Sequence, residues 1–170
     1  MKMNRGSELP QHYLSSLQYS WHVRNSWLRW CKSIPVTELM KRRIGGQGSI
    51  LETLLHIIDV ENSWMNAIRG KNDVPLTIQD HNTLASVEEI SAQTIKMTDT
   101  FIRVELPHLQ IDKEIIVSWD DSNYSIDSIL HHIIFHSVHH MGQLSIWARQ
   151  MNRAPVDISY LNAEVELEDK

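Results

Sequence analysis

Four segments of the chain carry apolar residues at the spacing of amphipathic helices, and this pattern limits the possible folds more than any other feature. The predicted helices span residues 10–32, 49–69, 84–106 and 125–151. No internal repeat, low-complexity tract or Gly/Ser-rich linker separates them. The whole chain, residues 1–170, is therefore expected to form a single all-α domain, a four-helix bundle.

Residues that cap backbone groups mark the starts of three of these helices. Ser49 followed by Glu52, and Ser86 followed by Glu89, have the spacing of capping boxes at the second and third helices. Ser125 is the expected N-cap of the last helix. The cap positions agree with the starts of the second and last helices that the apolar pattern gives, whereas a cap at Ser86 would start the third helix a few residues later than that pattern does.

The segment before the last helix has a different pattern. A β-branched run at residues 115–117 is followed by the turn sequence "DDSN". These residues predict at most one short extended segment, either a strand or a loop, and no sheet is expected.

The composition excludes several classes of function. The net charge of -5 and the pI near 6.0, with basic residues scattered along the chain, predict no nucleic-acid partner. No window approaches the roughly 18 uncharged apolar residues of a membrane span, and no signal peptide is evident, which predicts a cytoplasmic protein that does not bind membranes. The single cysteine, Cys31, allows no internal disulfide and no cysteine-based zinc site, so histidines and carboxylates would have to hold any metal.

Five of the ten histidines lie between residues 131 and 140, inside the last predicted helix. At about 100° per residue, His140 lies at the centre of the apolar stripe and His136 lies just inside it. His132 and His139 lie on the flanks of the stripe, and His131 points toward solvent. The pattern therefore selects His136 and His140 as the inward-facing pair.

A third histidine on another helix could complete a site with this pair. His136 and His140 are one helical turn apart, so both imidazoles can reach one metal ion, and His56 lies on the buried face of the second helix. Asp59 and Glu61 turn away from His56 and are expected at a solvated or subunit-facing edge. Two interpretations stay open: an open metal site with three nitrogen ligands, or core histidines satisfied by hydrogen bonds.

The same residues resemble a known family. One histidine in "TLLHIIDVENSW", followed by "HIIFHSVHHMGQL", is similar to the DinB/YfiT-like family of metal-dependent four-helix bundles. The likeness extends to "GSILETLLHIIDVE" and to the closing "APVDISYL", and it covers most of the chain. The resemblance implies a metal triad of His56, His136 and His140, which are the three residues that helical geometry also selects.

Two positions after the last histidine bear on this resemblance. Met141 lies where the family commonly has arginine, so any role of that arginine in binding an anionic substrate does not carry over. Gln143 is retained and could orient His136 or a metal-bound water, or could simply be a polar residue at a helix interface. No catalytic side chain is identified beyond these residues.

The family also suggests a function. Characterised relatives include enzymes that use low-molecular-weight thiols such as bacillithiol or mycothiol, which implies a metal-dependent thiol S-transferase acting on a small molecule. The alternatives are a hydrolase that uses metal-bound hydroxide and a non-catalytic interaction protein in which the metal only staples the bundle. Zn or Ni is the expected metal, with Fe, Mn and Cu left open, and the resemblance implies a homodimer.

Overall fold

The computed structural model describes residues 5–163 apart from residues 118, 120 and 121. Its elements follow in the order α1 (Arg5–Cys31), α2 (Val36–Leu39), α3 (Ile50–Ile68), α4 (Leu84–Thr100), a π-helix (Phe101–Glu105), a 3-10 helix (Leu106–His108), β1 (Glu114–Ile116), β2 (Asn123–Ser125) and α5 (Ile126–Gln150). Helices α1 and α3 each pack against both α4 and α5. The predicted all-α four-helix bundle is confirmed.

The first two long helices follow the sequence pattern with small differences. Helix α1 begins before Pro10, which lies inside it, because a proline in the second turn removes only one backbone hydrogen bond close to a helix end. Ser49 caps α3 by accepting a hydrogen bond from the Glu52 backbone N–H, and Gly70 follows the end of α3 in a left-handed conformation (φ 65°). The Glu52 carboxylate lies 3.0 Å from the Arg42 guanidinium.

The ends of α4 correct the sequence-based expectation. Thr83, and not Ser86, is the N-cap, and Ser86 completes the capping box in the place expected for Glu89. The reason is that the helix begins at Leu84, which makes Ser86 its third residue. The regular α-helix also ends at Thr100 and continues as the π-helix and the 3-10 helix, where Pro107 provides no backbone donor.

The segment before α5 is a two-stranded antiparallel hairpin rather than one short strand. Ile115 of β1 pairs with Tyr124 of β2. Ser125 ends β2 and caps α5, as predicted, by accepting from the Ser128 backbone N–H. Strand β2 has only three residues, too few for an alternating pattern to indicate a strand, so its pairing with β1 defines it.

A layer of polar side chains divides the bundle interior into two apolar clusters. Along α3 one cluster ends at Ile58 and the other begins at Met65, and along α5 the change falls between Ile134 and Met141. Each long helix contributes buried polar residues to this layer, namely Ser20, Arg24, Glu61, Ser91, Thr94, Thr98, Ser137 and His140. We call these residues the polar layer.

An ion pair at the centre of the polar layer corrects the expectation for Glu61. This residue is 3% exposed rather than solvated, and its carboxylate accepts hydrogen bonds from Arg24 Nη1 at 2.6 Å and Trp21 Nε1 at 3.0 Å. A charge removed from water needs such partners. None of the helices in the described part of the chain is long and apolar enough to cross a lipid bilayer.

Candidate metal centre

The three predicted histidines meet in the groove between α3 and α5. His56 Nε2 lies 3.1 Å from His136 Nε2, and His136 Nε2 lies 3.1 Å from His140 Nε2. The three ligand nitrogens all lie within 4.8 Å of one another. His140 is buried, whereas His56 and His136 are half-buried and face the edge of the groove. We call these three residues the histidine triad.

Hydrogen bonding alone does not account for this arrangement. An imidazole nitrogen has one bonding direction in the ring plane, so it either donates one hydrogen bond or accepts one. His136 Nε2 has two nitrogen neighbours at 3.1 Å, and one of these two contacts therefore lacks a hydrogen bond. A shared metal ion would satisfy all three nitrogens at once.

The spacing of the nitrogens suits such an ion. Nitrogens bound at about 2.0–2.1 Å lie about 3.3 Å apart around a tetrahedral ion and about 2.9 Å apart at adjacent octahedral positions. The observed 3.1 Å separations lie between these two values. These two separations suit a divalent transition metal shared by the three histidines, whose ligand nitrogens all lie within 4.8 Å of one another.

The electrostatic environment keeps the triad neutral. Burial, and then the neighbouring His140, lower the pKa of His56 to about 4, and burial followed by repulsion from the other histidines lowers the pKa of His136 to about 3. Burial also lowers the pKa of His140. The nitrogen lone pairs are thus available at neutral pH, which metal coordination requires.

Gln143 connects two histidines through its amide group. His140 Nδ1–H donates to Gln143 Oε1 at 2.8 Å, and Gln143 Nε2–H donates to His139 Nε2 at 2.9 Å. The first bond places the free lone pair of His140 on Nε2, toward the triad. Gln143 therefore orients His140, and not His136, whose Nδ1 has no hydrogen-bond partner among the described residues.

The loop between α2 and α3 closes over this amide. A Cβ atom on Gly46 would lie 2.6 Å from Trp147 Cη2, 2.9 Å from Thr53 Oγ1 and 3.2 Å from Gln143 Oε1. The loop is also held by a hydrogen bond from Trp147 Nε1 to the carbonyl oxygen of Ile44. Only glycine permits this approach of the backbone; the spacing of apolar residues does not indicate this role, although the "IGGQG" motif signals it.

The remaining histidines of α5 lie outside the triad, as the helical angles predict. His132 and His139 are exposed beside it, and the ring of His132 contacts His136 and Trp64 with centroid separations of 5.6 Å. His131 is exposed and contacts Asp127. Met141, at the position where arginine was expected from the resemblance, is 1% exposed and packs in an apolar cluster. The side chain at this position therefore contributes to the core.

A cavity of about 190 Å³ lies beside the triad. Its wall consists of Gln47, Glu52, Leu55, His56, Asp59, Leu76 and Ile78. Asp59 thus shares a cavity with His56, which corrects the expectation that it turns away. Residues three apart lie on neighbouring parts of one helix face, and this spacing is the signal that could have placed Asp59 here.

Comparison with known proteins gives two further findings. The model of the DinB family matches residues 4–169. A protein of Bacillus subtilis (strain 168) named "Uncharacterized protein YizA" is 43% identical over 146 residues, which cover 85% of this chain and 91% of that protein.

Proposed function

The chain belongs to the DinB family, and from this premise we propose that it is a metal-dependent enzyme acting on a small molecule, with His56, His136 and His140 as the metal ligands. The observation that carries the proposal is the convergence of three neutral histidines: His136 Nε2 lies 3.1 Å from the Nε2 atom of each of the other two, and the three ligand nitrogens lie within 4.8 Å of one another. We propose Zn or Ni as the metal, since three imidazoles suit both. Within the family, the reaction that we propose is transfer of a low-molecular-weight thiol.

Two features favour an enzyme over a protein in which the metal has only a structural role. The group of potential ligands found among the described residues has three members, whereas structural zinc sites have four protein ligands. Two of the three histidines are half-buried, and His56 lines a cavity. A site with an open position beside a cavity suits a substrate.

The side chains around the triad have distinct roles in this proposal. A bound metal would supply Lewis acidity, which lowers the pKa of a thiol at neutral pH. Gln143 holds the His140 ring, and the apolar neighbours that lower the pKa of the triad also exclude water from its inner side. In the transfer, the thiol sulfur forms a bond to the electrophilic carbon, the leaving group departs with its electron pair, and the thiol proton goes to solvent.

The test uses the full chain, its metal content and one transfer reaction. We expect the purified protein to bind one Zn or Ni per chain by elemental analysis and to accelerate the reaction of bacillithiol with monochlorobimane. His140→Ala should lose the metal and the turnover while its circular dichroism stays helical. His131→Ala, a matched change on the same helix outside the triad, should keep both.

Three results would change the assignment. Unchanged metal content and turnover in His140→Ala would show that the metal ligands are wrongly assigned. Metal-dependent hydrolysis of p-nitrophenyl esters without any thiol transfer would assign the site to a hydrolase. Tight metal binding with neither reaction would support the structural role.

A further inference from the structure

The cavity beside His56 has an unusual distribution of charge. Two carboxylates line it, Glu52 and Asp59. Arg42 Nη1 lies 3.0 Å from the Glu52 carboxylate and offsets its charge. No lysine or arginine pairs with Asp59 among the residues that the structure describes. Asp59 is therefore the one uncompensated charge that we find in this described wall.

The surroundings of Asp59 raise the energy of its negative charge. Burial raises the pKa of the Asp59 carboxyl, as does the nearby Asp73, while a hydrogen bond from the Leu76 backbone N–H to Asp59 Oδ1 acts in the opposite direction. That bond, of 2.7 Å, occupies one carboxylate oxygen and fixes its direction. A carboxylate oxygen can accept further hydrogen bonds, so the group has free capacity for a cationic donor.

The rest of the wall limits the size and character of the occupant. Leu55, Leu76 and Ile78 provide apolar surface beside the carboxylate. The volume of about 190 Å³ is below the roughly 300–1,000 Å³ that accommodates a drug-sized molecule, so the cavity suits one arm of a substrate rather than the whole. An ammonium group on a short carbon chain matches both the charge and the apolar surface.

The position of the cavity relates this arm to the reaction centre. Asp59 lies three residues after His56 on α3, so the two Cβ atoms are about 5–6 Å apart. We infer that the cavity binds a primary ammonium group of the substrate, with Asp59 as its charged acceptor and the three aliphatic side chains around the adjacent carbons. This inference rests on the proposed function, because it takes the arm to belong to the molecule that reacts at the triad.

The first experiment tests the cavity without any metal. Methyl NMR of the metal-free full chain, followed at Leu76 and Ile78, should give binding curves for butylamine, 1-butanol and butyrate, which differ in charge but hardly in size. We expect butylamine to bind about tenfold more tightly than 1-butanol, because a charge-assisted hydrogen bond is stronger than a neutral one, and butyrate to bind most weakly.

Asp59→Asn should abolish this preference while preserving the fold. The asparagine side-chain oxygen can still accept from the Leu76 N–H, so the loop stays in place and only the charge is lost. Asp112→Asn, the same change at an exposed carboxylate before β1, is the control and should behave like the wild type. Equal binding of the three probes, or an unchanged preference in Asp59→Asn, would overturn the inference.

The second experiment separates this inference from the proposed function. The cobalt-loaded protein is titrated with cysteamine, 2-mercaptoethanol and thioglycolate, and the thiolate-to-cobalt absorption band is followed. Tighter binding of cysteamine, lost in Asp59→Asn, supports both ideas. Equal binding of all three thiols supports the metal site but overturns the ammonium site. If no thiol produces the band, the thiol-transfer proposal fails. The preference for butylamine in the NMR experiment then decides whether the cavity binds an ammonium group.

Discussion

At the scale of single residues, the orientation of the His140 ring depends on Gln143. The amide oxygen of Gln143 accepts a hydrogen bond from His140 Nδ1–H, and its amide nitrogen donates one to His139 Nε2, which holds the amide in place. We expect Gln143→Ala to weaken zinc affinity by about 10- to 100-fold, the usual effect of removing a partner of a metal ligand. Competition with a chromophoric chelator measures this change.

Gln150→Ala, which replaces an exposed residue at the end of the same helix, is the control for this prediction. If Gln143 acts through the His140 ring, Gln143→Ala should lose zinc affinity while the metal-free protein stays folded, and Gln150→Ala should bind zinc like the wild type. Equal zinc affinity of Gln143→Ala and the wild type would contradict the role of this hydrogen bond.

Two neighbouring glycines allow a test of the loop that closes over Gln143. Gly45 and Gly46 both have positive φ, but a Cβ on Gly45 would meet no atom within 4 Å, whereas one on Gly46 would overlap Trp147 and Thr53. Gly45→Ala should cost about 1 kcal/mol from backbone strain, and Gly46→Ala a further 1–3 kcal/mol or so from overpacking. Urea denaturation of the two variants would refute the argument if it gave equal free energies of unfolding.

Residue patterns identify the triad well but not its surroundings. His56, His136 and His140 can be chosen from helical angles because each lies on an apolar face. The three-residue spacing places Asp59 near His56, but it does not indicate the cavity, because part of the cavity wall comes from Leu76 and Ile78, which lie in a loop without periodicity. The partner of Glu61 is likewise on a different helix, and no local pattern indicates it.

At the scale of secondary-structure elements, two capping boxes can be compared at the start of α4: Thr83 with Ser86, and the Ser86 with Glu89 box expected from the sequence. The structure assigns the N-cap to Thr83 and the third position to Ser86. Thr83→Ala should lower the free energy of unfolding by about 1 kcal/mol, whereas Thr83→Ser should retain it, because serine caps equally well. Glu89→Ala should have almost no effect, and a loss of about 1 kcal/mol there would favour the box expected from the sequence.

The elements were predictable to the extent that their own residues determine them. The apolar spacing gives all four long helices, and Ser49 and Ser125 give two of their starts. The strand Asn123–Ser125 exists only through pairing with β1, and the π-helix at Phe101–Glu105 follows a regular apolar pattern without interruption. Long-range pairing and local widening of a helix leave no signal in the spacing of apolar residues.

At the scale of the whole molecule, the triad makes the stability of the metal-free protein depend on pH. Burial lowers the pKa of His56 to about 4 and that of His136 to about 3, from 6.5. Between about pH 6.5 and about pH 4 the unfolded chain therefore binds more protons than the folded one, and stability is lost as the pH falls. Above about pH 6.5 this contribution is fully present and constant.

Urea midpoints in EDTA, measured from about pH 7.5 down to about pH 5, test this dependence. The wild type should lose more stability over this range than a His56→Gln/His136→Gln variant, in which the titrating groups are absent. His131→Gln removes an exposed histidine and should follow the wild type. If the urea midpoints of all three proteins fell in parallel as the pH is lowered, the triad would not contribute to the pH dependence of stability.

The buried ion pair in the polar layer should show non-additive energetics. Glu61→Gln leaves the Arg24 guanidinium without a counter-charge and should cost about 3–5 kcal/mol. Arg24→Met/Glu61→Leu removes both charges and should recover part of that loss, because apolar residues of similar volume can replace a buried pair, although the Trp21 Nε1–H then has no acceptor. Equal losses in the single and double variants, measured by chemical denaturation, would contradict this expectation.

The same layer limits how the helices can slide along one another. If α3 shifted by one turn, about 5.4 Å, against its neighbours, Glu61 would leave Arg24 and enter apolar surroundings. His56 and Glu61 lie on the same helix, so the alignment that satisfies the ion pair also brings His56 level with His136. The Arg24→Met/Glu61→Leu variant should therefore be stable yet bind zinc more weakly, and unchanged affinity would disprove this coupling. The Arg24–Glu61 pair therefore fixes the position of α3 along its own axis, and with it the level at which the imidazole of His56 meets that of His136 on α5.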